Sequence, residues 1–471
     1  ALARATAGFF VSGTELTAER PPVLKSAFQA PLPRVKIRNM LSIVAVLAGT
    51  AHLIGTSTEA GSPEPLGLMA RRIFAAQRRS PYRQVHSHFR KNFWVHFNWL
   101  ENLARTRYFH RRHAPVVAAQ RGISSGRQAI DLLKLAMVHG VDPATYYAHH
   151  LYDAPLRLAE TDYYVGRNEM KHGLYSLLRE LRKGQSGFDL TLSEKAMFSA
   201  ACRAGGLPVI PVLATVSKGR WDFTAGEGAA SLDGDLFVKG VRGKGAFGAA
   251  AYAFGADGLH RTKSGEALTR DALTARINEA SMQRAQLVTR RLRNHPEIAD
   301  LAVESLITFR VFTCLDAAGE PVVTHAMLRT VSKLEPAWDT EEEYAVAVDV
   351  LTGRLGRMCG DSDMAPDAWW ENHPKTGAAV TGRVIENWPA VADLARRAHR
   401  VFNGRMIIGW DLALAPDGPM VIEGNSDADT HFLQRVHRQM IGRSRMEPLL
   451  RHHLLTAERL IAGKATSPSA A

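Results

Sequence analysis

Apolar and polar positions alternate with period two in three stretches of this chain. Leu306-Ile-Thr308-Phe-Arg310-Val-Phe-Thr313 reads as a strand with Thr308 and Arg310 on one face. Nearer the C-terminus, Ile407-Ile-Gly-Trp-Asp411-Leu-Ala-Leu and Met420-Val-Ile-Glu423-Gly-Asn425 flank a Pro-Asp-Gly turn, the signature of a β-hairpin. With a loop over 415–419, Asp411 falls opposite Glu423, and Asn425 shares the face of Glu423 because strand side chains alternate. Leu236-Phe-Val-Lys239 predicts a short strand ending in a lysine. Helical spacing instead governs Phe89, Phe93, Phe97 and Leu100, the segment Ala129–Leu133, and Tyr164–Leu181.

Chemistry gathers where these strands end. Asp411, Glu423 and Asn425 make an oxygen-only donor set of the kind that holds Mg²⁺ against phosphates, although an ordinary hairpin with acidic residues near its turn would carry the same residues. Lys239 is followed by Gly240, Gly243, Gly245 and Gly248. Glycine lets backbone N–H groups close on an anion, so this loop can wrap phosphate oxygens while Lys239 supplies a point charge. It is not the P-loop spacing and does not meet the βαβ dinucleotide fingerprint, and a plain flexible turn is the alternative. Arg310 can fork onto a phosphate or carboxylate, or simply mark an exposed strand face.

A glycine-rich loop after a Lys-bearing strand, then an Arg-bearing strand, then a hairpin with Asp and Glu-x-Asn resembles the ATP-grasp superfamily. More narrowly, the chain resembles the sugar-transfer-associated ATP-grasp family, relatives of carboxylate–amine ligases found with polysaccharide biosynthesis. Leu192-Ser-Glu-Lys195 with Gly206-Leu-Pro-Val-Ile-Pro211, Gln286 through His295-Pro296, and His373-Pro-Lys-Thr-Gly377 extend the resemblance over roughly residues 130 to 450. The resemblance implies an α+β ATP-grasp fold, two α+β subdomains clamping ATP, behind a mainly helical N-terminal domain. It implies that Lys239 and Arg310 act on the transferred phosphate, with the Gly240–Gly248 loop closing over it. Gln286, Leu287 and Val288 would read adenine through their backbone, and Asp411, Glu423 and Asn425 would hold one or two Mg²⁺. One departure concerns the ribose: the acidic residue usual after the hinge is replaced by Thr289, Arg290 and Arg291. His373 to Gly377 is either a substrate-side loop or a surface turn.

The activity so implied is ATP-dependent joining of a carboxylate to an amine through an acyl-phosphate, releasing ADP and phosphate, with a sugar or glycan precursor as one partner. Phosphoryl transfer to a hydroxyl is the rival within the superfamily. A non-catalytic membrane or nucleic-acid adaptor is the rival outside it.

Charge adds a second theme. Residues 1 to 130 hold 19 Lys and Arg against 5 Asp and Glu, a net +14, while the other 341 hold 40 against 41. The basicity therefore belongs to the N-terminal portion, where Trp94, Trp99 and Phe97 interleave with Arg90, Lys91, Arg105 and Arg111. Packing of that aromatic stripe onto a core is the favoured reading, ahead of peripheral contact with an anionic membrane or a nucleic acid. The histidines at 86, 88, 96, 110 and 113 lack a tight ligand pattern, so no metal is expected there.

The apolar run Leu41–Gly55 is shorter than the ~20 residues that span a bilayer, so a buried or unstructured segment is favoured over membrane attachment or a signal peptide. The chain opens on Ala1, consistent with a fragment or processed form. Cys202, Cys314 and Cys359 are far apart, which argues against a zinc site or disulfide framework and fits a reducing, cytoplasmic setting. The expected organisation is a basic extension over 1–65, a helical basic and aromatic domain over 66–190, an ATP-grasp N-subdomain over 191–300 and a C-subdomain over 301–465.

Overall fold

The computed structural model describes Met69 and residues 99–135, 143–153, 163–164, 175–183, 187–188, 190–241, 249–303, 305–332, 342–361 and 366–466. All of them belong to one compact unit, Ser62–Ala471. The apolar run 41–55, the linker at 56–65, the aromatic positions before Trp99, and Gly243, Gly245 and Gly248 lie outside the described residues.

The N-terminal part is helical, as the pattern predicts: α1 (Trp99–Arg121), α2 (Ser125–Lys134), α3 (Pro143–Ala148) and α4 (Tyr175–Glu180). Ser124 starts α2 by accepting from the Arg127 N–H. Phe109, Val117, Leu132, Tyr146 and Tyr147 form a small core of their own. No helix among the described residues is long and apolar enough to cross a membrane.

After α5 (Lys195–Ala204) comes an antiparallel sheet of β1 (Val212–Ser217), β2 (Arg220–Phe223), β3 (Leu236–Gly240), β4 (Ala250–Phe254), β5 (His260–Arg261), β6 (Ala267–Leu268) and β7 (Gln286–Arg290). Its spatial order is β2-β1-β7-β3-β4-β5-β6. Helix α6 (Arg270–Gln283), capped by Thr269, lays Leu273 and Ile277 on Leu236, Val238 and Val288 and so covers one face. Alternation then turns Phe237 and Lys239 to the other face.

The short helix α7 (Pro296–Ala299) leads into a second antiparallel sheet. Its strands are β8 (Thr308–Leu315), β9 (Pro321–Val331), β10 (Glu343–Val348), β11 (Leu355–Gly360), β12 (Trp369–Trp370), β13 (Ile407–Ala415) and β14 (Gly418–Asn425), in the order β12-β11-β10-β9-β8-β13-β14. Helix α8 (Trp388–Val401) packs Val391, Leu394 and Ala398 onto Phe309, Val311, Leu328, Ile408, Trp410 and Leu412. On the opposite face, α9 (Thr430–His437) and α10 (Glu447–Thr466) cover Phe312, Cys314, Met327 and Ile407. Beyond that apolar patch the same face turns polar, carrying Arg310, Arg329, Glu343, Asp411 and Glu423. The three cysteines are free and buried, as their spacing suggested.

The hairpin closes more tightly than the expected 415–419 loop. Ala415 pairs with Gly418, leaving only Pro416 and Asp417 in the turn, and Gly418 has φ +116°. The offset is recovered further along, where the partner of Leu412 is Val421 but the partner of Asp411 is Glu423. Ile422 is thus the extra residue of a β-bulge.

Behind the polar face a buried hydrogen-bond chain locks β13 to β8 and α8. His399 Nε2 lies 2.9 Å from the Arg405 carbonyl and must donate to it. Burial pushes the His399 pKa down to about 4, so the ring is neutral and Nδ1 is an acceptor. The Thr313 hydroxyl therefore donates to Nδ1 at 2.7 Å and accepts from Trp410 Nε1 at 2.8 Å. Thr313→Val keeps the shape but strands both partners. We expect a loss of about 2–3 kcal/mol, read as a lower urea midpoint at unchanged m-value.

Candidate functional site

Three neighbouring strands bring the predicted residues of the second sheet together. Asp411 on β13 is the cross-strand partner of Arg310 on β8 and of Glu423 on β14, and Gly409 pairs with Asn425. Arg310 donates through Nη2 to Asp411 Oδ2 at 2.9 Å and through Nε to Oδ1, a two-pronged pair with both side chains about nine-tenths buried. Asn425 Nδ2 reaches Asp411 Oδ2 at 3.4 Å and Glu423 Oε1 at 3.5 Å. Gly409 leaves room here: a side chain at that position would run into Ala428, which lies over the strand.

One lysine arrives from the other sheet and a second from helix α5. Lys239 sits one residue before the end of β3, its Nζ 6.0 Å from the Phe237 ring centre. Lys195, the first residue of α5, donates from Nζ to the Gly240 carbonyl at 3.2 Å. Helix α5 begins there because the Glu194 carboxylate accepts from the Ala196 and Met197 N–H groups at 3.2 and 2.7 Å. Burial and the neighbouring Lys195 hold the Lys239 pKa down to about 8, against the opposite pull of Glu423 and Asp411. Lys195 is lowered as well, chiefly by burial, while Glu423 works to raise it. Burial followed by the charge of Asp411 raises Glu423 above the ordinary carboxylate range. For Asp411 burial is outweighed by Arg310, which holds it low. Of the two carboxylates, Glu423 takes the first proton.

Two further side chains join the cluster without a local motif to announce them. Arg329 on β9 donates from Nε to Glu343 at 2.8 Å and lies 3.9 Å from Asp411 Oδ1. A single arginine in the mostly uncharged strand Pro321–Val331 was the available signal, and Lys195 stood in a matching stretch with no role attached.

Other expected positions lie differently. Gly240 ends β3 beside the cluster. Gln286, Leu287 and Val288 are interior: β7 pairs through Val216, Thr215 and Ala214 on one side and Gly240, Lys239 and Val238 on the other. Their backbone groups take part in the ladders with β1 and β3. The chain leaves the ladder only at the linker 291–294, between the sheets. Gln286 itself is buried, its Nε2 donating to the Arg284 carbonyl at 2.7 Å. In the His373–Gly377 turn, His373 is buried and its Nδ1 accepts from the Lys375 and Thr376 N–H groups at 3.1 and 3.2 Å.

No group of three or more His, Cys, Asp and Glu side chains among the described residues is placed to hold a metal ion. A cation here would rest on two carboxylates, the Asn425 amide and its own phosphate ligands. The donor set fits a hard divalent ion in one respect: burial and the charge of Asp411 raise the pKa of Glu423, and a cation would relieve both. Asn425 turns its N–H₂ to the two carboxylates, and rotation of the amide would present oxygen instead.

The model of the sugar-transfer-associated ATP-grasp family matches residues 184–445, more than half of the chain. Comparison with curated proteins found no match. Among solved structures, the chain is similar to the ATP-grasp ligase PsnB complexed with minimal precursor, at 17% identity and TM-score 0.28, covering 56% of this chain and 60% of that one. It is similar to the D-alanine–D-alanine ligase of Coxiella burnetii at 13% identity and TM-score 0.32, covering 63% and 68%. It is also similar to the L-amino acid ligase of Bacillus licheniformis at 12% identity and TM-score 0.33, covering 56% and 48%.

The Arg310–Asp411 pair gives the site a stability signature. Arg310→Met leaves Asp411 buried with the Asn425 amide at 3.4 Å and Arg329 3.9 Å away, and should cost roughly 3–5 kcal/mol at pH 7. Because the folded pKa of Asp411 is depressed, the pair's contribution is present above the unfolded value and fades as pH falls through the folded one. The gap between wild type and variant in urea midpoint should therefore narrow from pH 7 to pH 3. The double variant Arg310→Met/Asp411→Leu should regain most of the loss.

Proposed function

We propose that this chain, which belongs to the sugar-transfer-associated ATP-grasp family, is an ATP-dependent carboxylate–amine ligase. The observation that carries this reading is the meeting of two sheets in one charged cluster: Lys239 and Lys195 from one side, and Arg310, Asp411 and Glu423 from the other. Such a cluster has the parts that phosphoryl transfer needs, which are mostly positioning and neutralisation of oxygen charge.

In this reading the nucleotide lies between the sheets, with its phosphates on Lys239, Lys195 and the closing loop of Gly240, Gly243, Gly245 and Gly248. Adenine lies against the linker 291–294, and Arg290 and Arg291 stand where an acidic ribose ligand is usual. Asp411, Glu423 and Asn425 would hold one or two Mg²⁺, which when bound act as Lewis acid and template for the transferred phosphate. Arg310 then exchanges Asp411 for phosphate oxygens, and the buried charges on both sides keep partners throughout.

A substrate carboxylate attacks the γ-phosphorus, forming a C–O–P linkage as the bond to ADP breaks. Arg310 and Lys239 hold the equatorial oxygens in line. An amine next attacks the acyl carbon, phosphate leaves, and the amine's proton passes to solvent or to the departing phosphate. The family name and the acidic acceptor this chemistry requires make a sugar or glycan precursor the natural partner.

Calorimetry of Mg²⁺-ATP binding tests the site. Wild type should bind in the micromolar range, and Lys239→Ala and Glu423→Gln should each weaken binding at least tenfold. Failure of folded wild type to bind would sink the reading. Formation of ADP, free phosphate and an amide identifies the ligase, whereas phosphate retained on the acceptor identifies a kinase.

Lys239 adds a pH dependence. Phosphate binding needs its ammonium form, and in the free protein that form is half lost at about pH 8. The Kd for Mg²⁺-ATP should therefore rise with pH above 8, approaching tenfold per unit, and Lys239→Arg should flatten the profile.

A further inference from the structure

A small cleft opens at the far edge of the second sheet, where α3 and α9 end against β12. Among its lining residues are His150, Tyr164, Trp369, Arg435 and Arg438, and none of its described lining residues is a carboxylate. It lies five strands from Asp411 in the order β13-β8-β9-β10-β11-β12, about 24 Å at ~4.8 Å per strand, so it is separate from the cluster described above.

Four independent features single it out. First, His150 (φ 55°) and Arg438 (φ 50°) are two of the three non-glycine residues in the left-handed region among the described residues, and both line this cleft. Arg438 takes this backbone as the left-handed C-cap of α9, a conformation usually given to glycine and disfavoured for a side chain with a Cβ. Second, the Arg438 guanidinium is exposed and makes no hydrogen bond or ion pair among the described residues; it lies over the Trp369 ring, with Cζ 5.5 Å from the ring centre. Third, Trp369 keeps Nε1 buried with no hydrogen-bond acceptor among the described residues. Fourth, the carbonyls at the surrounding chain ends are already served. Arg435 donates to the Ala148 and Gly360 carbonyls, each at 3.0 Å, and His150 Nε2 donates to the Pro366 carbonyl at 2.9 Å. The charge of Arg438 is therefore surplus to the fold.

We propose that this cleft is a second ligand site, which takes an oxyanion on the Arg438 guanidinium with the Trp369 indole N–H as a further donor. A carboxylate or phosphate has the flat or tetrahedral oxygen edge that a guanidinium fork matches. The positive field is already felt inside the cleft: burial lowers the pKa of His150, and Arg435 and Arg438 push it the same way against its bond to Pro366. An anionic group of an extended acceptor, or a free phosphate, would both meet these requirements.

Calorimetric titration of the full chain with D-glucuronate and, separately, with inorganic phosphate tests the proposal on wild type, Arg438→Gln, Arg438→Gly and Lys239→Ala. At least one anion should bind wild type. Either change at 438 should weaken that binding about tenfold or more, the loss expected for a charged hydrogen-bond donor, while Lys239→Ala leaves it unchanged. Arg438→Gly should at the same time raise Tm, since glycine adopts φ 50° without strain. Preference for glucuronate assigns a carboxylate ligand, and preference for phosphate assigns a phosphoryl group. The proposal is overturned if neither anion binds, if Arg438→Gln binds as wild type does, if binding follows Lys239 instead, or if Arg438→Gly lowers Tm.

Discussion

A strand sends alternate side chains to opposite faces, and β14 has to serve two environments that no strict alternation can reconcile. Val421 belongs in the apolar core with Leu412, whereas Glu423 has to stand beside Asp411 on the polar face. Both numbers are odd, so an unbroken strand would put both on one side. The bulge at Ile422 resolves the conflict by spending one residue without a partner. The meeting of Asp411, Glu423, Asn425 and Arg310 depends on that single irregularity, and so does the continuity of the core behind them.

The cluster so assembled is not electrostatically self-sufficient. Lys195, Lys239, Arg310 and Arg329 face Asp411, Glu423 and Glu343, and the two arginines take Asp411 and Glu343 for themselves. That leaves two half-buried lysines with lowered pKa values against one carboxylate whose own pKa is raised. Burial penalises every charge in the group, and the internal pairing offsets only part of it. A polyanion arriving with a cation would supply what both halves lack. This complementarity is the physical content behind placing a nucleotide here.

Local pattern was enough for the parts of this site that lie within one strand. Lys239 at the end of β3 and the shared face of Thr308 and Arg310 both follow from period-two alternation. The α+β class came from the family resemblance that these motifs carry, not from alternation. Strand order was not legible. β7 enters the first sheet between β1 and β3, although nearly fifty residues separate it from β3, and this nonlocal insertion engages the backbone of Gln286–Val288 in the ladders with both. Arg329 and Glu343 come together across two strands joined by a long connection, with no turn signal to fix their register. The bulge left no mark either, since Met-Val-Ile-Glu reads as an ordinary strand. An assumed longer loop led to the right partner for Asp411 by a different route.

The position of the site is also fixed from behind. Trp410 precedes Asp411 and points into the core, where its indole is held by Thr313 and lies tilted against Phe402, 5.9 Å between ring centres. Gly424 lies between Glu423 and Asn425, and a Cβ there would come within 2.9 Å of the Trp410 ring and 2.8 Å of Leu192. The missing side chain lets the indole and Leu192 close on β14 from the core side. The strand that carries Glu423 and Asn425 is thereby pressed against a rigid aromatic surface. Leu192 stands three residues before Lys195, at the approach to α5, so the same contact ties the lysine-bearing side of the cluster to the carboxylate-bearing side. A change in that core contact would move charges on the opposite face without touching any of them.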